Sequence, residues 1–137
     1  MKKFITSIIL ISGFYFLMSC EKVVVIDLLP IDYLTAGNIK QWKLVEYKEN
    51  DVDLLSDCLK DDIFTFVKST SKYDWNIGQE KCFADEKNQS FDFVLDYENK
   101  ILKVNGFDYT LLRLDVDVLE IQIQLSPNTI YLKYERL

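Results

Sequence analysis

The chain has 137 residues, with 22 acidic and 16 basic side chains, no histidine, four glycines, two prolines and three cysteines. That length holds one domain, and the missing histidine excludes imidazole-based triads, histidine zinc sites and imidazole pH switches. Gly13, Gly37, Gly78 and Gly106 are too scattered for a loop that cradles phosphate, and a formal charge of -6 offers a nucleic-acid backbone nothing to bind. The residues therefore call for no cofactor and no nucleic acid.

Lys2 and Lys3 precede a nearly unbroken apolar run from Phe4 to Leu17, and Leu17, Met18 and Ser19 lead into Cys20. This is the pattern of a secretory signal, shorter than the roughly 20 apolar residues of a membrane-spanning helix, so residues 1–19 are expected to be removed. The junction resembles the lipobox of bacterial lipoproteins. Leu17 and Ser19 suit their positions, Cys20 supplies the thiol for a diacylglycerol, and Met18 stands where a small or β-branched residue is usual. The alternative is an ordinary secretory signal with a cysteine at its boundary. The resemblance implies lipidation of Cys20 and a membrane held through acyl chains, each buried CH₂ contributing about 0.8 kcal/mol. Glu21 replaces the aspartate of an inner-membrane retention signal, and no acidic cluster follows. The expected location is thus the bacterial outer membrane, at its periplasmic face.

Lipidation of Cys20 leaves Cys58 and Cys82, and in an oxidising exported compartment such a pair is expected to form a disulfide. Two buried free thiols are the alternative. Residues 20–39 form a tether that is unusually apolar, through Val23 to Ile26, Leu28, Leu29 and Ile31, whereas flexible linkers are polar. Pro30 can open a short helix over Ile31 to Ala36, with Gly37 just past its end. Such a helix would plug one end of a β structure; an extended segment lying on the body is the alternative.

From Lys40 the pattern turns to strand alternation. Strands are predicted over Gln41–Lys48, Ile63–Lys68, Lys72–Ile77, Ser90–Tyr97, Lys100–Asn105, Phe107–Leu114, Val118–Leu125 and Thr129–Glu135. The last four are joined by turn residues at hairpin spacing, Asn105-Gly106 being the sharpest because a type I′ turn needs positive φ at both central positions. Eight strands in sequence order, with no helical crossover, predict an all-β fold: an antiparallel up-and-down barrel spanning residues 40–137. A flattened two-sheet sandwich is the alternative. The predicted inward set is Trp42, Leu44, Phe64, Phe66, Tyr73, Trp75, Phe91, Phe93, Leu95, Leu119, Ile121, Ile123, Ile130 and Leu132. So many rings in a short barrel are expected to fill it down to a shallow mouth.

These residues resemble the small lipocalin-like lipoproteins common in Bacteroidetes. Leu34-Thr35 followed by Gln41-Trp42-Lys43-Leu44 is similar to the family's opening, Asp57-Cys58-Leu59-Lys60-Asp61-Asp62 to its cysteine and acidic pair, and Gly78-Gln79-Glu80-Lys81-Cys82 to its second cysteine. Trp42, Asp61 and Asp62 are the structural positions of this motif. Gly37 lies too far before Trp42 for the G-x-W opening of true lipocalins, and Arg136 is the candidate for the late arginine that covers that tryptophan. The resemblance implies a barrel, a lipid anchor and a small hydrophobic ligand.

Three groups of side chains carry candidate chemistry. Asp57, Asp61 and Asp62 have oxygen ligands for calcium but lack the glycine-punctuated series of a calcium loop; a solvated turn is preferred, with Asp62 accepting backbone hydrogen bonds at the start of the second strand. Asp74, Asp92, Asp96, Asp115 and Asp117 alternate with apolar positions and read as outward charges, so no enzyme is expected. Tyr73, Trp75, Phe91, Phe93 and Tyr109 can line an apolar pocket or pack a core. The leading expectation is a non-catalytic, lipid-anchored barrel that binds a small hydrophobic molecule; the alternative is a filled barrel that engages another envelope protein.

Overall fold

The computed structural model describes residues Leu28–Leu137, and the expected signal segment and Cys20 lie outside the described residues. The alternating stretches form nine strands: β1 (Ile39–Glu49), β2 (Val52–Asp53), β3 (Ile63–Val67), β4 (Lys72–Asn76), β5 (Gln89–Asp96), β6 (Ile101–Val104), β7 (Phe107–Leu114), β8 (Val118–Leu125) and β9 (Asn128–Arg136). Each strand pairs antiparallel with its neighbours, and β1 pairs with β3 through its first half and with β9 through its second. Eight strands thus close into an up-and-down barrel with no open sandwich edge. β2 is an addition to the eight expected strands, folded back on β1 by Asn50 and Asp51, whose φ values of 50° and 66° are both positive.

Turn chemistry sets the hairpins. Asn105 and Gly106 have φ of 51° and 78°, which joins β6 to β7 in the primed turn that their pairing demands. Between β7 and β8, Asp115 accepts backbone hydrogen bonds from Asp117 (2.9 Å) and Val118 (2.8 Å).

Two register shifts correct the alternation where the sequence breaks it. Between Leu44 and Glu46 the pairing with β9 skips a residue, which faces Tyr47 inward beside Leu132 and leaves Glu46 outside with Lys133. Between Leu111 and Arg113 a similar shift leaves Leu112 half exposed while Leu111 and Leu114 both meet the core.

Pro30 opens α1 (Pro30–Thr35), and Ala36 in the left-handed region followed by Gly37 at φ +87° ends it. The helix packs against β1, β3 and β7 at the end of the barrel where β1 begins. Its Leu34 is wholly buried, and the Leu34 carbonyl accepts a hydrogen bond from the Trp42 indole at 3.1 Å. The plugging helix, and not the extended alternative, is the arrangement found. Leu34, Trp42, Phe93, Leu111 and Leu119 fill this closed end.

Trp42 is covered by Lys40, not by Arg136. Lys40 Nζ lies 4.0 Å from the centre of the Trp42 ring and donates to the carbonyls of Tyr33 (2.6 Å) and Val116 (2.5 Å). Arg136 pairs in register with Trp42, but its exposed side chain turns to Asp117 at 3.8 Å. Lys40 stands two residues before Trp42 on the same inward face, so its ammonium reaches the ring from inside the plug, where carbonyls replace water. Burial pushes the Lys40 ammonium below the ordinary lysine range, and Arg136 adds to that.

Candidate ligand-binding cavity

Above the plug the barrel is not full. A cavity of about 430 Å³ opens at the end opposite α1, within the range of small-molecule sites. Strand register explains how it is built. Phe64 and Trp75 sit opposite one another across β3 and β4, and Phe66, Tyr73 and Phe91 form the next row across β3, β4 and β5. Phe64 packs edge-on against Tyr134 at 5.2 Å and stacks against Trp75 at 5.9 Å, while Tyr73 stacks on Phe91 at 6.3 Å. Aromatic pairs at these separations hold one another in place, so one wall is rigid. The facing wall is aliphatic, with Ile121, Ile123, Ile130 and Leu132 from β8 and β9.

Of the five residues expected to line a pocket, Tyr73, Trp75, Phe91 and Tyr109 do so. Phe93 does not. It is 4% exposed and packs edge-on under Phe66 at 5.1 Å, in the layer that separates the cavity from the plug. Alternation told inside from outside but not height along the barrel axis, which depends on stagger between strands. The wall also includes Leu102, Val104 and Tyr134, which continue the same alternation on β6 and β9, and Tyr47, which only the bulge in β1 turns inward.

Among the described residues, none that lines this cavity carries a charged side chain. The lining residues that carry polar side-chain groups are Gln89, Asn105, Tyr47, Tyr73, Tyr109 and Tyr134, together with Trp75, whose indole N–H is taken by Asp62. Burial pushes the Tyr73 and Tyr134 hydroxyls well above the ordinary phenol range, and Tyr109 in the same direction. All three stay neutral donors near pH 7.

The rim is fixed by the acidic motif. Asp62 is 1% exposed; one carboxylate oxygen accepts from the Trp75 indole at 2.7 Å and the other from the Gly78 amide at 2.8 Å. Asp61 accepts from the amides of Gln79 (2.6 Å) and Glu80 (3.2 Å). Of the backbone donors expected for Asp62 one is found, the Gly78 amide after β4, and its other donor is the side chain of a wall residue, Trp75. Cys58, in the short helix α2 (Asp57–Lys60), and Cys82 are at disulfide distance with Cα atoms 5.3 Å apart. Leu59 of α2 reaches the cavity wall, so this pair and the two aspartates tie α2 to residues 77–82 at one side of the mouth.

The remaining aspartates do not converge. Asp57 pairs with Lys60 at 2.6 Å, Asp92 with Lys72 at 2.7 Å and Asp115 with Arg113 at 2.6 Å, while Asp74 accepts from Ser90 and Asp96 from Asn99. Among the described residues no helix is long and apolar enough to cross a membrane. No protein-family model, curated protein or solved structure matches the chain.

Proposed function

We propose that this protein is a lipid-anchored envelope lipoprotein, held at the periplasmic face of the outer membrane through acyl chains on Cys20, whose lipocalin-like barrel carries a small hydrophobic molecule. The observation that supports the carrier reading is the cavity of about 430 Å³, walled by rings and branched aliphatics and open at one end. A barrel whose rings met in the middle would favour the reading in which the outer surface engages another envelope protein. The lipobox resemblance at Leu17 to Cys20 supports the anchor.

Native mass spectrometry of the mature protein, isolated from its own membrane, tests both halves. The expected spectrum shows acyl mass on Cys20 and a stoichiometric small molecule that leaves on denaturation. A mature start other than Cys20 would overturn the anchor. A bare mass that persists after incubation with envelope lipid extract would overturn the carrier.

A further inference from the structure

The cavity wall has two properties that together restrict its occupant. First, among the described residues it holds no charged side chain. A carboxylate or ammonium group entering it would lose its hydration with no opposite charge to meet, a cost of several kcal/mol for an unpaired ion. Second, three tyrosine hydroxyls gather in it. Tyr134 is 5% exposed; Tyr73 and Tyr134 both pack on Phe64, with ring centres 6.0 and 5.2 Å away, and Tyr109 lines the same cavity, in keeping with the electrostatic influence of the other two on both Tyr73 and Tyr134. Thr65 Oγ1 is the one fully buried side-chain polar atom without a partner among the described residues, and it is not on the cavity wall. The three tyrosine hydroxyls are thus not among the fully buried polar atoms left without a partner. Three neutral groups that both donate and accept suit a hydroxyl, a ketone or an ester.

We infer that the cavity selects an uncharged amphipathic molecule, whose apolar body lies against the Trp75 and Phe91 wall and whose single hydroxyl or carbonyl group is met by Tyr73, Tyr109 and Tyr134, and that it rejects the carboxylate of equal length. This rests on the carrier reading and names its ligand class. Asp62, which accepts from the Trp75 indole, is no help to an anion, since its charge also opposes ionisation of Tyr73. Lys40, the buried cation, is held in the plug by two carbonyls and is not on the cavity wall.

The test uses the mature protein as the cell makes it, in phosphatidylcholine nanodiscs, with empty nanodiscs as the partition control. Four probes form two matched pairs, decanol with decanoate and naphthalenemethanol with naphthoate. Binding is read from the emission of Trp75, with Trp42 sealed in the plug as the constant background. At about pH 8, where the carboxylic acids are ionised, the neutral member of at least one pair is expected to bind about tenfold or more tightly than its carboxylate. That preference should narrow as pH falls toward the carboxyl range. Replacing Tyr73 and Tyr134 together by Phe keeps the rings and is expected to reduce the advantage of decanol over decane, read as the ratio of the two affinities.

A carboxylate that binds as tightly as its neutral partner would overturn the selectivity and leave the carrier reading standing. An unchanged decanol advantage in the double variant would overturn the tyrosine assignment. Failure of all four probes and of decane to perturb Trp75 would overturn the carrier reading, and the ligand class with it.

Discussion

Asp62 shows how one buried charge is made tolerable at the scale of the residue. Both of its oxygens are used, one by the Trp75 indole and one by the Gly78 amide, so a carboxylate with almost no water keeps its hydrogen bonds. Asp62→Asn turns one acceptor into a donor that faces an N–H. The expected cost is about 1–3 kcal/mol in a urea titration, with a change in Trp75 emission that a remote destabilising substitution would not produce. Gly78 is fixed by space: a Cβ there would meet the Asp61 carboxyl carbon at 2.1 Å. Gly78→Ala is expected to displace Asp61 from Gln79 and Glu80, which faster amide exchange at those two positions would report. The tyrosines make a third prediction at this scale. Burial raises the folded-state values of Tyr73, Tyr109 and Tyr134 above the ordinary phenol, and that of Tyr131 to about 12. Above about pH 10 the unfolded chain therefore loses phenol protons that the folded chain keeps. Their contribution to stability is complete below that pH and falls as pH rises, to about pH 12 for Tyr131. Lys40 works against this slope just below its ordinary value, because its lowered folded-state value makes stability rise with pH there. Urea midpoints across this range should decline, and decline less in the Tyr73→Phe, Tyr134→Phe double variant.

At the scale of the element, α1 and the cysteine pair act on opposite ends. α1 is six residues long, too short to be stable alone, and its place depends on Leu34 entering the core and on its carbonyl taking the Trp42 indole hydrogen. Leu34→Ala is expected to cost about 2–5 kcal/mol and to shift Trp42 emission toward that of a hydrated indole. The Cys58–Cys82 pair, with a sequence separation of 24, closes a loop that includes β3 and β4. Serine at both positions should lower stability by about 3.5 kcal/mol in chain-entropy terms, seen in urea titrations with and without reductant. An equal midpoint for the oxidised parent and the double serine variant would remove the covalent tie at the mouth.

At the scale of the whole molecule, the barrel closes laterally through β1 and β9, while α1 seals one end and the cavity opens at the other. Trp42 and Lys43 are the residues of β1 that pair with both β3 and β9, so their amides are expected to exchange only through global unfolding. β2 holds two register pairs and is exposed on both residues, and it should exchange early. Comparable protection of the two segments in hydrogen-exchange mass spectrometry would contradict a closed seam.

Much of this architecture was written locally. Period-two alternation and the turn residues Asn105-Gly106 and Asp115 placed the eight barrel strands within a few residues of where they lie, and Pro30 with Gly37 marked the plug, because strand faces, primed turns and helix ends are set by neighbours along the chain. The Asp61-Asp62 motif was visible as a structural pair, although its bonds to Trp75 and Gly78 were not. What only the tertiary structure decided was height and registry. Phe91 and Phe93 share one face of one strand, yet the stagger of the barrel puts the first on a cavity wall and the second in the packed layer beneath Phe66, off the cavity wall. A bulge at Val45 turns Tyr47 inward, and Lys40 takes the place over Trp42 expected of Arg136. The sequence by itself determined a closed barrel with a ring-rich interior. Whether those rings met or stood apart depended on shear, bulges and closure, which are properties of strands paired across the fold and have no signature within any one of them.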